Sequence, residues 1–107
     1  MEPEKEKSGA PLPEVDPIVH APARLGVLAL LAVVDSADFT FLQKQTGLTN
    51  GNLSTHLTKL ESAGYVKIEK KFVSRVPRTL VMLTKDGMKA LTDYRRQMEE
   101  IIRGLPK

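Results

Sequence analysis

The spacing of hydrophobic positions changes twice along this chain, from helical to alternating and back to helical. Up to residue 63 the apolar residues recur mostly every three or four positions, which is the period of a helix. From Val66 to Glu69 apolar and charged residues alternate, as they do in a half-buried strand. After residue 84 the helical spacing returns and continues to about Arg103. The pattern therefore predicts several helices, then a short hairpin, then one final helix.

Two of the predicted helices are more apolar or longer than a small domain needs. The first begins after Pro22, whose ring suits the first turn of a helix, and is expected to run from about Ala23 to Val34. Its apolar residues surround most of its circumference, whereas a surface helix needs one apolar stripe. The last helix, expected over residues 85–103, would be about 28 Å long.

This surplus predicts a dimer in which a second copy of the chain covers both helices. The side chains expected at the interface are Leu25, Leu28, Leu91, Tyr94, Met98, Ile101 and Ile102. The alternative is that the last helix packs only within its own domain, which leaves a monomer.

A short helix and a longer one are expected on either side of Gly47. The short helix covers roughly Phe41 to Thr46 and opens with a capping box of Thr40 and Gln43. The longer helix covers residues 50–63, with Thr49 or Asn50 as its N-cap and a glycine as its left-handed stop. Two helices joined by a tight glycine turn predict a helix-turn-helix.

The alternating segment predicts a two-stranded hairpin. Its first strand begins at Val66, and Thr79 to Leu83 forms the second. The stretch from Phe72 to Arg78 contains Pro77 and is expected to be a loop. Helix, helix-turn-helix, hairpin and helix follow one another in the order of a winged helix. We therefore expect a mostly helical α+β fold with a three-helix core, a two-stranded wing and a long C-terminal helix.

Composition limits the chain to one domain and excludes several classes of site. Its 107 residues are 41% hydrophobic, which is enough for one modest core. Without cysteine it forms no disulfide, thiolate zinc site or thiol redox sensor. No apolar run approaches the roughly 18 residues of a membrane span. No apolar stretch follows the charged first residues, so a signal peptide is not expected either. A cytoplasmic location is the resulting expectation.

The net charge of +3 is divided unevenly along the chain. Residues 1–17 carry two basic and five acidic side chains together with four of the seven prolines, so we expect a disordered acidic tail there. Residues 18–107 carry fourteen basic and eight acidic side chains and are expected to form the winged-helix domain. A compact basic domain favours an anionic partner, most often nucleic acid.

The helix expected at residues 50–63 has one apolar and one polar side. At 100° per residue, Leu53, Leu57 and Leu60 fall within about 60° of one another and define the buried side. The opposite side and its flanks present Gly51, Asn52, Ser54, Thr55, His56, Thr58, Lys59 and Ser62. Short donors and acceptors with little negative charge suit the base edges in a DNA major groove. A merely solvated face is the alternative, but such a face needs no short supporting helix before it.

The predicted hairpin carries five cations and a single acidic residue, Glu69. The cations are Lys67, Lys70, Lys71, Arg75 and Arg78. A basic hairpin beside such a helix can hold backbone phosphates or enter a minor groove. The alternative is a hairpin kept soluble by lysines at its edges, although five cations against one anion favour phosphates.

Five short motifs follow one another along the chain in an order typical of one group of proteins. They are Pro22-Ala23-Arg24-Leu25, Leu53-Ser54-Thr55-His56-Leu57, Leu60-Glu61-Ser62-Ala63-Gly64, Arg78-Thr79 and Leu83-Thr84-Lys85-Asp86-Gly87. Over about residues 20–103 the chain thereby resembles prokaryotic winged-helix transcription regulators of the MarR-like and ArsR-like superfamily. The cysteine metal motif of ArsR-type sensors is absent. The resemblance is therefore to a short form, for which we expect no metal and no cofactor.

The resemblance implies a homodimer that binds a palindromic operator in double-stranded DNA, with its first and last helices at the interface. It places DNA contacts on the third helix and on the wing. With the polar helix side and the basic hairpin, the expected DNA-binding residues are Thr49, Asn50, Gly51, Asn52, Ser54, Thr55, His56, Lys59, Lys70, Lys71, Arg75 and Arg78. The longer helices that frame an effector pocket in MarR proteins are missing, so an effector is unknown.

Other function classes find less support. His20 and His56 are far apart and lack an accompanying triad, metal cluster or phosphate loop, so an enzyme is not expected. A winged helix used as a protein-interaction module, without specific DNA binding, is the alternative, since one fold serves both roles. Such a module should lack a basic hairpin or expose large apolar residues on the third helix. The sequence favours a DNA-binding regulator, expected to repress because an occupied promoter blocks polymerase.

Overall fold

The computed structural model describes residues 13–106, and within them four helices and three strands build a winged helix. In chain order the elements are α1 (Pro22–Leu31), β1 (Ala37–Asp38), α2 (Phe39–Thr46), α3 (Asn50–Ser62), β2 (Val66–Val73), β3 (Val76–Leu83) and α4 (Lys85–Arg103). The expected α+β fold and the order of its main elements are confirmed. The two-residue strand β1 is an addition that the sequence pattern did not indicate.

The core lies between the first three helices, the inner half of the sheet and α4. Its largest fully buried side chains are Val19, Val27, Leu28, Leu31, Leu42, Leu53, Leu60 and Val81. Full burial of one such side chain contributes roughly 1.5–3 kcal/mol to folding. From α4 the core receives Tyr94, which is 8% exposed and whose hydroxyl lies 2.8 Å from His20 Nδ1.

Helix α3 packs on the core through the leucines that the sequence predicted to be buried, and its polar side faces outward. Leu53, Leu57 and Leu60 are all at most 3% exposed. Thr49, not Asn50, is the N-cap, because its hydroxyl accepts a hydrogen bond from the Asn52 amide at 3.1 Å. Gly64 follows the helix end with a φ of 82°, the left-handed conformation that glycine adopts without steric cost.

Helix α2 begins two residues earlier than expected and has a different cap. The predicted start was Phe41 with Thr40 as the capping residue, whereas the helix begins at Phe39 after Asp38. Asp38 Oδ1 accepts a hydrogen bond from the Phe41 amide at 2.7 Å. A carboxylate is favoured here by the positive end of the helix dipole. Pairing of β1 also holds Asp38 in the extended conformation that an N-cap requires.

Helix α1 ends at Leu31, three residues before the expected Val34. The Ala32 amide still bonds to the carbonyl oxygen of Leu28, but the chain then leaves the helix. Val33 lies beyond this end and is 80% exposed. The apolar circumference predicted for α1 is therefore shorter than expected, and its last two members belong to the following turn.

The sheet has the strand order β1-β3-β2, and its outer part is a long hairpin. The pairs run from Val66↔Leu83 to Val73↔Val76, so the loop expected from Phe72 to Arg78 is wrong. Pro77 lies within β3, opposite Phe72. Proline is tolerated there because β1 reaches only residues 80 and 81 of β3, which leaves the outer edge of β3 unpaired at residue 77.

The hairpin closes through a two-residue turn in which neither residue is glycine. Ser74 and Arg75 have φ values of 52° and 69°. Positive φ at both central residues matches the type I′ turn, which agrees with the twist of the strands and usually contains Asn and Gly. Because Ser-Arg is not a turn signal in a sequence, the periodicity alone predicted a loop at this place.

Arg75→Gly is expected to raise the free energy of unfolding by about 0.5–1 kcal/mol, because glycine adopts positive φ without a Cβ clash. Chemical denaturation of both proteins measures the difference. Arg75→Ala is the matched control, since it removes the same side chain but keeps the strained backbone. If alanine stabilises the protein as much as glycine does, the gain does not come from the turn.

The segment before α1 packs onto the domain from residue 13 onward. Val15 and Ile18 lie against the core, and the hydroxyl of Tyr65 donates a hydrogen bond to Asp16 Oδ2. This bond, then burial, raises the pKa of Tyr65 to about 12. The disordered tail was expected over residues 1–17, so its boundary moves to before residue 13. Residues 1–12 lie outside the described part of the chain, and disorder there stays a prediction.

Candidate nucleic-acid interface

The outward side of α3 carries a row of short polar side chains, as the sequence predicted. Several of the residues expected to contact DNA are exposed at the N-cap of α3 and along the helix: Thr49, Asn50, Gly51, Asn52, Ser54, Thr55 and Lys59. His56 is half-buried at the edge of this side. The described helix exposes no large apolar side chain and has its first carboxylate at Glu61, near its end. Its first two turns can therefore approach a polyanion without burying a negative charge.

Two hydroxyls on this side are already committed as donors. Thr55 Oγ1 donates to the carbonyl oxygen of Gly51 at 3.0 Å, and Thr58 Oγ1 donates to that of Ser54 at 2.9 Å. A hydroxyl has one hydrogen and two acceptor positions. In this conformation Thr55 can thus accept a hydrogen bond from a base or contact a methyl group. The donors that remain on this side include the Asn50 and Asn52 amides, the Ser54 hydroxyl and the Lys59 ammonium.

An open groove of about 540 Å³ separates the start of α3 from the hairpin. Its walls are Asp38, Phe39, Thr40, Asn50, Gly51, Ser54, Lys70, Pro77, Arg78 and Thr79. The groove brings together three parts of the expected site: the start of α3, Lys70 and Arg78. Sequence analysis did not assign Asp38, Thr40 or Thr79 to the site. Pairing of β1 with β3 brings Asp38 and the start of α2 to the groove beside Thr79.

Arg78 is held at this groove by an acidic residue from another element. Its Nη1 lies 3.6 Å from Asp38 Oδ2, and both side chains are partly exposed. An exposed pair of this kind contributes at most about 1 kcal/mol to folding. The pair instead orients the guanidinium toward the groove and leaves most of its five N–H donors available for an anion.

The other hairpin cations divide into two sets. The ammonium groups of Lys67 and Lys71 lie 3.2 Å and 3.9 Å from the carboxylate of Glu69. All three side chains lie on the same side of β2. Within residues 13–106, Lys70 and Arg75 form no ion pair with an acidic side chain. Lys70 lines the groove, whereas Arg75 is at the tip of the hairpin. On the hairpin, the positive charge without an acidic partner therefore lies on the side nearest α3 and at the tip.

His56 connects α3 to the beginning of α1. Arg24 Nη1 lies 3.1 Å from His56 Nδ1, and Arg24 Nε donates to the carbonyl oxygen of Ile18 at 2.6 Å. Because a guanidinium only donates, the neutral imidazole must accept at Nδ1. Burial lowers the pKa of His56, and the charges of Arg24 and Lys59 lower it further.

The lowered pKa predicts a stability that depends on His56 below neutral pH. The unfolded chain, with an ordinary histidine pKa of about 6.5, binds the proton more readily than the folded one, so stability is lost as pH falls below about 6.5. His56→Gln keeps a hydrogen-bond acceptor for Arg24 and removes the titration. We expect wild type to lose free energy of unfolding relative to this variant between about pH 7.5 and 5.5. Parallel denaturation curves with no such divergence would contradict the assignment.

The residues expected at a dimer interface fall into three groups. Leu28 is fully buried and Tyr94 is 8% exposed within the protomer's own core, so these two side chains have almost no surface left for a partner. Their expected interface role is corrected because they lie on the inner sides of α1 and α4. Leu25, Leu91 and Met98 are half-buried against that core. Ile101 and Ile102 are 37% and 54% exposed.

Neither a cluster of metal ligands nor a helix that could span a membrane occurs in the described part of the chain. Residues 13–106 contain no group of three or more histidine and acidic side chains placed to hold a metal ion. None of the helices in this range is both long enough and apolar enough to cross a membrane.

Comparison with known proteins identifies a family and several relatives that this chain resembles. Residues 23–102 match the family described as winged helix DNA-binding domain. An uncharacterized protein of Methanocaldococcus jannaschii is 34% identical over 77 residues, which cover 72% of this chain and 84% of that protein.

Two solved structures of transcriptional regulators share the fold. A transcriptional regulator homologue from Pyrococcus horikoshii is 37% identical, with a TM-score of 0.79 over 84% of this chain and 89% of that one. The transcriptional repressor CouR, solved bound to a 23-mer DNA duplex, is 25% identical, with a TM-score of 0.67 over 76% of this chain and 56% of CouR. These structures are of transcriptional regulators, not of enzymes.

Proposed function

This chain belongs to the family of winged helix DNA-binding domains and is a winged-helix transcriptional regulator, and from this we propose that its homodimer binds specific sequences in double-stranded DNA and represses transcription. The resemblance noted in the sequence is thereby confirmed at the level of the family. The homodimer, the individual contact residues and the sign of regulation are the content of the proposal.

The groove between α3 and the hairpin is the observation that carries the proposal. Its lining suits one phosphodiester backbone: Lys70 and Arg78 supply positive charge on one side, and the start of α3 supplies polar groups on the other. A backbone seated there has the major groove on the side of α3 and the minor groove on the side of the hairpin. The two parts of the surface then contact neighbouring grooves of the same duplex.

Within this arrangement base discrimination is assigned to α3. The amide groups of Asn50 and Asn52 can pair with adenine in the bidentate manner typical of asparagine. Thr55 accepts from an exocyclic amine or contacts a thymine methyl group. Gly51 has no atom within 4 Å of the position that a Cβ would occupy, so the helix backbone has open space toward the DNA. The hairpin cations hold the register and add affinity that is independent of sequence.

The homodimer is proposed from the apolar side chains that remain exposed near the end of α4. Ile102 is 54% exposed and Leu105, just beyond the helix, is 64% exposed. Two-fold symmetry is the commonest arrangement of homo-oligomers, and it doubles the number of recognition helices. Half-sites should then lie about one helical turn apart, near 34 Å.

Ile102→Lys is expected to shift the protein from dimer to monomer, because it places a charge in an apolar contact. Sedimentation velocity over a range of concentrations measures the change in mass. Glu100→Lys, on the same exposed stretch of α4, is the matched control and should leave the mass unchanged. A wild-type protein that sediments as a monomer at every concentration would refute the dimer.

A fluorescence-anisotropy titration with random genomic duplex fragments, at low and at moderate salt, tests the proposed function. We expect binding that weakens steeply as salt rises, because each neutralised phosphate releases counterions. Binding of this kind justifies selection of an operator from a random pool, and a promoter containing that operator then tests repression. No binding even at low salt would refute the regulator proposal.

A protein-interaction module remains the second candidate, since one observation favours it. The outer hairpin exposes apolar side chains, among them Phe72 at 74%. Exposed apolar patches often mark contacts with other proteins. The position of these residues relative to the hairpin cations, however, fits a different occupant.

A further inference from the structure

The outer end of the hairpin carries four apolar residues that the core does not use. Phe72 is 74% exposed, Val73 46% and Val76 45%, and Pro77 is exposed as well. They surround the turn at Ser74 and Arg75. Exposure of this kind costs solubility and contributes nothing to the folding of the protomer, so it calls for an occupant in the functional complex.

The apolar residues lie on both faces of the hairpin. Phe72 is paired with Pro77, and Val73 with Val76. Because successive side chains of a strand point to opposite faces, the first pair lies on one face and the second pair on the other. A flat protein surface would cover one face and leave the other in water. An occupant that covers both faces must have two walls with a slot between them.

The order of charged and apolar residues along the hairpin also indicates an occupant with a slot. Arg75 is at the tip, the apolar residues come next, and the cations Lys70, Lys71 and Arg78 follow toward the base. A DNA minor groove has the matching order from the inside outward. Its floor presents base acceptors and a negative potential, its walls are the carbon surfaces of deoxyribose, and its rims are phosphates.

The hairpin is long enough to reach into such a groove. β1 pairs with β3 only at residues 80 and 81, so the four outermost pairs, from 70↔79 to 73↔76, project beyond the three-stranded part of the sheet. At roughly 3.3 Å per residue this projection is about 13 Å. The minor groove of B-DNA is about 7.5 Å deep.

We propose that the outer hairpin is an apolar wedge that enters the minor groove and opens it, so that the bound DNA is bent. A β-ribbon with side chains on both faces is about 10 Å thick, whereas the minor groove of B-DNA is about 6 Å wide. The groove must therefore widen, and apolar side chains inserted there bend a duplex toward the major groove. This inference rests on the proposed function and adds a mechanical role and a source of specificity to it.

Opening the groove also predicts a sequence preference outside the bases that α3 contacts. Deformation costs least at flexible pyrimidine–purine steps. The selected operators should contain such a step on the outer flank of each half-site, where the wedge enters, even though no hydrogen bond from the protein discriminates it.

Energy transfer between dyes at the two ends of a duplex tests the wedge. The probe is a duplex selected from a random pool by the wild-type protein. We expect wild type to shorten the end-to-end distance, and Phe72→Ser to restore that of the free duplex while lowering affinity about tenfold. The salt dependence of affinity should stay unchanged, since no charge is removed. Val76→Ser, on the opposite face, should act in the same direction.

Val33→Ser is the matched control, because Val33 is equally apolar and 80% exposed but lies beyond the end of α1. It should change neither the bend nor the affinity, and thermal denaturation should show that all three variants remain folded. A wild-type complex that binds tightly to straight DNA would refute the wedge and leave the proposed function intact. Absence of binding to any duplex at low salt would refute the proposed function itself.

The remaining possible occupant of the apolar patch is a second copy of the chain. Sedimentation of the free protein distinguishes this occupant from DNA. If Phe72→Ser lowers the mass of the free protein and leaves DNA affinity and bend unchanged, the patch is a contact between copies and the wedge is refuted. An unchanged mass, together with a lost bend, supports the wedge.

Discussion

Gly87→Ala is expected to destabilise the fold by about 3 kcal/mol, although alanine is the better helix former. A Cβ at this position would overlap the carbonyl oxygen of Tyr65 and lie 2.8 Å from Cδ1 of Leu83. A real Cβ does not approach other atoms this closely, so the backbone around the first turn of α4 has to move. For a domain of this size the midpoint of thermal denaturation should fall by about 15 °C.

The neighbouring hydrogen bonds explain why this movement is costly. The carbonyl oxygen of Tyr65 accepts from the Thr84 amide at 3.1 Å, and the Tyr65 amide donates to the carbonyl oxygen of Leu60 at 2.9 Å. Thr84 also caps α4 by accepting from the Gly87 amide at 2.9 Å. The close approach therefore joins the end of α3 to the start of α4, and separation of the two breaks several hydrogen bonds at once.

Gly51→Ala is the matched control for this prediction. Gly51 also lies in the first turn of a helix, but no atom is within 4 Å of its missing Cβ. Here alanine should stabilise the protein by up to about 1 kcal/mol. Opposite signs for the two substitutions, measured by thermal and chemical denaturation, support the packing argument. Equal signs would contradict it.

Arg78→Ala is expected to lower DNA affinity about tenfold, which corresponds to about 1.4 kcal/mol. The loss should be similar for operator and random DNA, and the slope of log affinity against log salt should decrease by about one. Both expectations follow from a phosphate contact, which carries no sequence information. Anisotropy titrations of the two DNAs at several salt concentrations measure the affinity and the slope.

Two further variants separate this effect from a general loss of charge. Arg95→Ala removes the same charge from α4, where Arg95 pairs with Glu99 away from the groove, and should leave the affinity nearly unchanged. Asp38→Asn keeps a good helix cap but removes the anion beside Arg78, so it should raise the affinity. Asn52→Ala should instead reduce the preference for operator over random DNA. Equal losses on both DNAs for Arg78→Ala and Asn52→Ala would refute the division between phosphate and base contacts.

The features that the sequence predicted correctly depend on residues close together in the chain. The buried side of α3 follows from leucines spaced by three and four residues, and Gly47 and Gly64 end their helices with φ values of 72° and 82°. The cap Thr49 is equally local, because its hydroxyl accepts from the amide of Asn52, three residues later. Helical period, capping and left-handed stops are set by neighbours within one turn, so the sequence alone determines them.

The features that the sequence predicted wrongly involve either an atypical turn or a competition between partners. The hairpin extends to its tip through Ser74 and Arg75, which carry no recognisable turn signal. Asp38 displaces Thr40 as the cap of α2, because pairing of β1 with β3 holds Asp38 in place. In both cases the local pattern permitted two structures, and strand pairing selected one.

By itself, therefore, the sequence determined the fold class, the order of the main elements and the polar side of α3. Only the tertiary structure decided that Arg78 faces Asp38 across the groove, that Arg24 reaches His56, and that Leu28 and Tyr94 belong to the core rather than to an outer surface. The members of each of these contacts are separated by many residues in the chain. Their meeting depends on how the helices and the sheet pack, which no local period or spacing encodes.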